Sequence, residues 1–510
     1  MDDSHNAPER LETTSTDPAG NTRATASGVL ARFTYCIRQR DFRLLFMLFL
    51  FMLFWYSALL KLSPTHIKLD LTFNSMLDHL LHGQFDVDSG IVGSEGFQRN
   101  GHVYAYWGIW CALLRLPLWI LDRMNTDITK WSCLAAVCLA AMVKVRTVLL
   151  LRGYGAEDKT AKHAVGMILA YIVLGGSEVG YLKATIYQEV ILWAIAFATL
   201  FVYFTIKGLI AQSFELGTLS AMALWAGLAL LTRASTGIGL ILAFGLLLLV
   251  LAWQTGATIG RGDRWTIRYW LQTLLSRRIL VPLGILAVCI VATGAVNYCR
   301  WGNPLTFANF RLYLCNIQYP DRVLRDSVYG MFSIRRIPLA LIYYFLPLWA
   351  IQSGAGQFLF EHAQTRLFDC IELPPSTFFL TDLLPLCFIA LLIVALCKRR
   401  SGGLLPVRQW AAIAVGLAFP GILMLTYSYL TYRYRMEFYP EIDFLAFLGL
   451  YMVLVDDRLR SIYARRRVWI EAALIVSVVA SFAALLLYSL APFGPVLHTG
   501  FGHSRYFVWF

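Results

Sequence analysis

Eleven stretches of this sequence are long and apolar enough to cross a bilayer: 43–62, 131–152, 163–180, 187–209, 216–233, 236–254, 279–298, 377–397, 408–428, 437–455 and 469–491. A helix needs about 20 apolar residues to span the hydrocarbon core. The expected fold class is therefore an all-α polytopic membrane protein with about eleven transmembrane helices. Composition points the same way. Apolar residues make up 58% and charged residues 15% of the chain, against about 25% charged in soluble domains. That excludes a water-soluble enzyme of two or three ordinary domains, and the 14% aromatic content excludes a disordered chain.

Two weaker apolar runs, 104–121 and 337–352, are interrupted by Arg115 and Pro117 and by Pro338 and Pro347. Charge decides whether they cross. If neither does, Arg32, Arg38 and Arg40, then Arg152, Lys159 and Lys162, the 255–278 loop, Lys398–Arg400 and Arg458–Arg467 all share one face. Cytoplasmic loops collect Lys and Arg, so the N-terminus is expected inside and the C-terminus outside. The weak runs become juxtamembrane or re-entrant helices on the outer side. The formal charge of +13 then reflects topology, and no nucleic-acid partner is implied. Residues 1–28 are polar, lack an apolar signal core, and read as a disordered cytoplasmic tail. Residues 29–491 read as the membrane-embedded unit, with outer loops at 63–130 and 299–376, and 492–510 as an outer tail. The inner loops are short and no GxxxxGK[ST] motif occurs, which argues against an ATP-driven pump. The ten cysteines form no CxxC pair or Cys/His cluster. Cys299, Cys315 and Cys370 lie in one long polar connection where a disulfide could form.

Chemistry is thus expected on the outer side. Asp70 follows the first span by a few residues and precedes an amphipathic stretch, Phe73, Met76, Leu77, Leu80 and Leu81, at helical spacing. Asp86, Asp88 and Glu95 read as ordinary solvated carboxylates. Tyr104, Tyr106 and Trp107 gather with Gly101 and Gly108 before a proline-broken helix, which suits either a membrane-interface anchor or a platform for a carbohydrate or lipid head. Glu189 lies inside the outer end of an apolar helix, where a carboxylate needs a partner or an aqueous cavity; Lys183 is the nearest candidate in sequence. Glu178 reads as loop-exposed, and Arg233 as a cation snorkelling from a helix end. Two arginines and four aromatics gather in Tyr432-Arg433-Tyr434-Arg435-Met436-Glu437-Phe438-Tyr439. Arginine's planar fork suits phosphate oxygens; pairing with Glu437, Glu441 or Asp443 is the competing reading.

These pieces together resemble the membrane-embedded GT-C glycosyltransferases, the group holding protein O-mannosyltransferases and the aminoarabinose transferases of lipid A. The resemblance rests on Asp70 followed by Leu80-Leu81-His82-Gly83, on the Tyr-x-Tyr-x-Gly…Leu-Pro-Leu stretch from Tyr104 to Leu118, on Gly227 to Arg233, and on Tyr432 to Pro440. Residues Arg300 to Phe307 also resemble a stretch of some bacterial members. The resemblance implies Asp70 as catalytic base or acceptor organiser and Glu189 as a second acid. It implies Arg433 or Arg435 on the donor phosphate; Tyr104, Tyr106 and Tyr432 are the expected substrate-binding residues. Asp70 is followed by Leu71 where many members carry a second acid, so a divalent metal finds no support. No large soluble domain follows the last span, which argues against an oligosaccharyltransferase-like enzyme.

The implied partners are a polyprenyl-phosphate sugar donor, a glycan, lipid or protein acceptor, and membrane lipids, and the implied location is a bacterial inner (plasma) membrane. The rival reading is a transporter or flippase for a lipid-linked or polar solute, which would need an internal repeat with paired broken helices; none is evident. A non-catalytic assembly scaffold would not need Asp70, Glu189 and Arg433 to converge.

Overall fold

The structure, a computed structural model, describes residues 42–62, 68–176, 178–259, 276–318, 328–346, 367–368, 370–372, 375–397, 406–490 and 496–498. The proposed tail 1–28, the 261–275 part of the basic loop, Lys398–Arg400 and most of 492–510 lie outside this set. The chain divides into residues 1–48 and 49–510. Of the first unit the structure describes the start of α1 (Phe42–Leu60), where Phe42 and Phe46 stack with ring centroids 6.5 Å apart.

The fold is all-α and polytopic. Nine helices among the described residues are long and apolar enough to cross a membrane. They include α1, α5 (Thr129–Arg152), α7 (Ile186–Ile210), α9 (Ala234–Ile259), α10 (Arg277–Trp301), α13 (Val407–Thr426) and α16 (Arg467–Leu490). The other two begin in other helical geometry. The helix α6 (Lys159–Ala170) runs on through a π-helical turn, Tyr171–Gly175, and α14 (Tyr439–Val455) follows a 3-10 segment, Tyr432–Phe438. Two shorter apolar helices, α8 (Leu216–Thr232) and α12 (Leu383–Cys397), occupy the remaining two predicted spans. The first weak run is broken, and the described part of the second is short. Residues 104–121 hold only α3 (Trp110–Leu113) and α4 (Leu116–Ile120), and 337–345 holds α11 (Ile337–Phe345). All three are far shorter than the roughly 20 residues a crossing needs.

Helix faces dictate packing. In α7, 78% of the apolar window is buried, so this helix is a core element, packing on α5 and α8; α10 buries only 28% and meets its neighbours along one stripe. Along that stripe stand Ile279, Pro282, Leu286 and Cys289, then Thr293, Asn297 and Arg300. The steps of three and four keep one face inward, and that face turns polar at one end. Elsewhere α8 packs on α10, α9 on α13, and α12 on α14.

The two ends of the bundle hold different chemistry. At one end Arg460 of α15 (Asp457–Arg465) pairs with Asp158 at 2.8 Å, and the Ala156 amide donates to the Leu454 carbonyl at 3.0 Å. Asp158 also caps α6 by accepting from the Ala161 amide. At the other end lie α2 (Thr72–Leu81), a hairpin of β1 (Phe97–Arg99) and β2 (His102–Tyr104), and the segments around Glu178, Arg233 and Arg435. Asn100 and Gly101 both have positive φ, 52° and 82°, the geometry of the tight Asn-Gly hairpin turn. A small sheet joins β3 (Cys370–Glu372), β4 (Tyr429–Leu430) and β5 (Val496–His498), with β3 parallel to β4 and antiparallel to β5. The last of these is the described part of the expected outer tail. Cys299 is an exposed, unbridged thiol, and the side chain of Cys370 lies outside the described set.

Candidate functional site

Asp70 sits in a 3-10 turn, Lys68–Leu71, that runs directly into α2. It is 4% exposed, and its Oδ1 accepts a hydrogen bond from the Ile186 amide at 3.2 Å. Ile186 opens α7, whose cap residue Thr185 makes no side-chain cap. The first amides of a helix lack intrahelical acceptors, so a carboxylate from a distant segment satisfies one of them and sits favourably at the positive end of the helix dipole.

Glu189, one turn further along α7, is fully buried. Its partner is Arg115, not Lys183. The two form a two-pronged ion pair, Arg115 Nη1 to Oε1 and Nη2 to Oε2, the latter at 2.8 Å. Arg115 also donates to the Cys111 carbonyl at 3.0 Å and to Thr129 Oγ1 at 3.2 Å, and lies over the Phe73 ring. This network ties α3 and α4 to α5 and α7. Lys183 instead donates to the Tyr488 carbonyl at 3.3 Å and sits over that ring.

The two late arginines separate. Arg435 is fully buried. It pairs with Asp382 at 3.0 Å, donates to Thr381 Oγ1 and the Ser376 carbonyl, and stacks on Phe378. Tyr171 and Tyr439 donate to the same aspartate at 2.7 and 3.0 Å. The reading that competed with a phosphate contact paired these arginines with Glu437, Glu441 or Asp443; the carboxylate on Arg435 is Asp382. Tyr432 is also buried, stacked on Tyr181 at 4.6 Å. Arg433 is half-buried, with its guanidinium 4.6 Å from the centre of the Tyr187 ring. Asp70 thus binds the Ile186 amide while Arg433 lies over the ring of the next residue, so each contacts the start of α7.

Beside them lies a cavity of about 580 Å³. Its walls come from Tyr106–Ile109, the junction of α8 and α9, the polar end of α10, residues Leu305–Ala308, α13 and Tyr434. Of the residues singled out from the sequence resemblance, Tyr106 lines it. Asp70, Glu189, Tyr104, Tyr432, Arg433 and Arg435 do not. Trp107 forms the partition: it lines the cavity, and its ring packs edge-on against both Phe73 and Tyr187 at 6.1 and 5.8 Å. Phe73, one turn after Asp70, stands behind it. Burial, reinforced by Tyr434 and Glu95, pushes the Tyr106 phenol above its ordinary range, so it faces the cavity as a neutral donor. Tyr104 packs nearby, 6.0 Å from Trp301, in the aromatic cluster of Phe97, Trp301 and Tyr313.

Arg233 does not snorkel. Its Nε pairs with Glu437, which also accepts from the Ser235 hydroxyl at 2.7 Å and the Thr236 hydroxyl at 2.8 Å, so this carboxylate holds the first turn of α9 while neutralising the arginine. Glu178 is likewise not loop-exposed. It is 1% exposed and bonds Lys144 Nζ at 2.6 Å; Asp443 bonds the same amine at 2.8 Å. Asp86, expected as a solvated carboxylate, bridges His79 at 2.8 Å and His102 at 2.6 Å, tying α2 to β2. Burial alone would raise its pKa, but the two imidazole hydrogen bonds hold it below the ordinary aspartate value. Glu95 accepts from Tyr313 at 2.9 Å. Among the described residues no cluster of His, Cys, Asp and Glu has the make-up of a metal site.

Arg115, Lys144 and Asp382 were missed as site-shaping residues. Each was visible as an ionisable residue in or beside an apolar run, where a charge demands a partner. The polar turn of the α10 stripe was a second unread signal.

No protein-family model and no curated protein matches the chain. Among solved structures, the chain is similar to the archaeal oligosaccharyltransferase AglB from Archaeoglobus fulgidus, in complex with an inhibitory peptide and a dolichol-phosphate. Identity is 14% and the TM-score 0.42, over 88% of this chain and 56% of that one. The apo form of the Archaeoglobus fulgidus oligosaccharyltransferase aligns at 12% identity with the same TM-score, over 88% and 55%. The chain thus spans just over half the length of these neighbours, and a likeness this distant assigns no residue here a role.

Proposed function

We propose that the protein is an integral-membrane glycosyltransferase that moves a sugar from a polyprenyl-phosphate-linked donor to an acceptor on the non-cytoplasmic face of a bacterial plasma membrane. Residues 29–491 form the catalytic unit and the N-terminus is cytoplasmic. One observation carries the reading: Asp70, Arg433 and an apolar-walled cavity are gathered at one end of the helical bundle, around Trp107 and the start of α7. The donor's lipid lies in the cavity and the acceptor approaches on the Asp70 side. Trp107 swings aside once both are bound, in the manner of a gating step. Asp70 takes the acceptor hydroxyl's proton as its oxygen attacks the anomeric carbon. The bond from that carbon to the phosphate oxygen breaks, and the electron pair leaves with the phosphate, whose growing charge Arg433 offsets in a largely dry site. A single displacement inverts the anomeric centre. Arg435 and Glu189 hold the scaffold, since both are committed to buried ion pairs.

Asp70→Asn is the direct test. Asparagine keeps an oxygen for the Ile186 amide but cannot take a proton. Transfer from a radiolabelled polyprenyl-phosphate sugar should fall by about 10²–10⁴-fold, with folding intact by size-exclusion profile. Wild-type turnover in this variant removes Asp70 from the chemistry. A second reading, transport, draws on the buried Lys144–Glu178–Asp443 cluster, because ionisable groups inside a bundle also mark ion pathways. Solute or lipid flux in proteoliposomes that stops on Glu178→Gln, with no sugar transfer by the wild type, would favour it.

A further inference from the structure

We infer that Arg300 is the anion-recognising group of the cavity, and that the ligand it selects is an amphiphile with a phosphate head and an apolar chain. Arg300 is the last polar residue on the inward stripe of α10 and is 2% exposed. Its Nη1 donates to the Trp107 carbonyl at 2.8 Å, and its Nη2 meets only the Met76 sulfur at 3.4 Å, a weak acceptor. Its Nε is buried with no hydrogen-bond partner. Among the described residues no carboxylate lies within ion-pair distance of it. Of the other arginines described above, buried Arg115 and Arg435 and half-buried Arg233 each have one: Glu189, Asp382 and Glu437.

A buried charge without a counter-ion is costly, and Arg300 lines the cavity. The charge balance of the walls sharpens this. Among the described residues the lining holds two charged side chains, Arg233 and Arg300, and no acid. Arg233 is neutralised by Glu437, so among the described residues Arg300 is the one lining arginine without a carboxylate partner, within mainly apolar walls. Asn297 and Thr293 extend the same helix face with further polar atoms. A lone inorganic anion would leave the apolar walls unfilled; a chain carrying a phosphate satisfies both. The inference deepens the donor reading above, on which the identity of the lipid rests, and adds to Arg433 a second cation, held on the Trp107 carbonyl.

The test is binding to the purified full chain in neutral detergent, read by quenching of tryptophan fluorescence, with farnesyl phosphate, farnesol and inorganic phosphate as probes. Farnesyl phosphate should bind about tenfold to a hundredfold tighter than farnesol, the range of a charge-assisted hydrogen bond, and inorganic phosphate should bind far more weakly than either. Arg300→Gln should erase the preference for the phosphate while leaving farnesol affinity in place, and Arg300→Lys should keep part of it. Equal binding of farnesyl phosphate and farnesol by the wild type overturns the inference, whether or not the variants fold. So does a preference that survives in Arg300→Gln, or inorganic phosphate binding as tightly as the lipid. Asp70→Asn should retain the full preference. If that variant also keeps full transfer, the catalytic assignment falls while the anion site stands.

Discussion

Removing the charge of Glu189 tests whether this acid builds the fold or performs chemistry. Glu189 and Arg115 are each 0% exposed, and the pair is two-pronged. Taking away one partner of a buried pair costs about 3–5 kcal/mol, because the other charge is left stranded. In Glu189→Gln the amide oxygen can still accept from one guanidinium nitrogen, and Arg115 keeps Thr129 and the Cys111 carbonyl. The loss should therefore lie at the low end, about 3 kcal/mol, a factor of somewhat more than a hundred in the folded population. Thermal unfolding of the detergent-purified protein, followed by tryptophan fluorescence, should show a clearly lower midpoint. The double variant Arg115→Met with Glu189→Leu should recover much of the loss, since an apolar pair needs no counter-charge. A Glu189→Gln protein with the wild-type midpoint but no transfer activity would refute the structural assignment and return Glu189 to the catalytic machinery.

Two further outcomes follow from the same end of the bundle. The Asp86 carboxyl, held below its ordinary pKa by His79 and His102, contributes its link only while ionised. The link is thus present above the ordinary aspartate value of about 3.9 and fades as pH falls through the lower folded value. Amide hydrogen exchange across 97–104 should accelerate in that acid window, and in Asp86→Asn it should be fast at every pH; exchange indifferent to the substitution would show that the hairpin is held by other contacts. At Gly108 an added Cβ would lie 2.1 Å from the Leu231 carbonyl oxygen and 2.6 Å from that of Thr232. Backbone atoms cannot swing away, so Gly108→Ala should cost about 1–3 kcal/mol and displace the Trp107 wall. A wild-type unfolding midpoint and unchanged farnesol affinity would contradict that.

The spans were legible because a membrane helix announces itself by length alone. All eleven apolar runs fall on helices, and the interrupted run at 104–121 breaks at Arg115, between α3 and α4. Partnerships were less legible, because a charge chooses its partner in space. Lys183 is six residues from Glu189, yet Arg115, from another segment, reaches it. Glu178 looked like a loop residue beside two glycines, but the π-helical turn before it precedes a buried ion pair with Lys144 on α5.

The segment Tyr432–Phe438 shows what a spacing argument needs before it can place a side chain. Read as an α-helix, its two arginines would sit about 200° apart and either could reach a phosphate. The segment is instead a 3-10 helix, with about three residues per turn, so positions three apart share a face. Tyr432, Arg435 and Phe438 fall on one face, and all three are buried, against Tyr181, Asp382 and Phe378. Tyr434 and Glu437 fall on another, toward the cavity and Arg233. Arg433 takes the third direction, over Tyr187 at the start of α7. One local change of helical period thus separates the two arginines: Arg435 is held in a buried ion pair with Asp382, and Arg433 is left over Tyr187, next to the residue whose amide Asp70 binds.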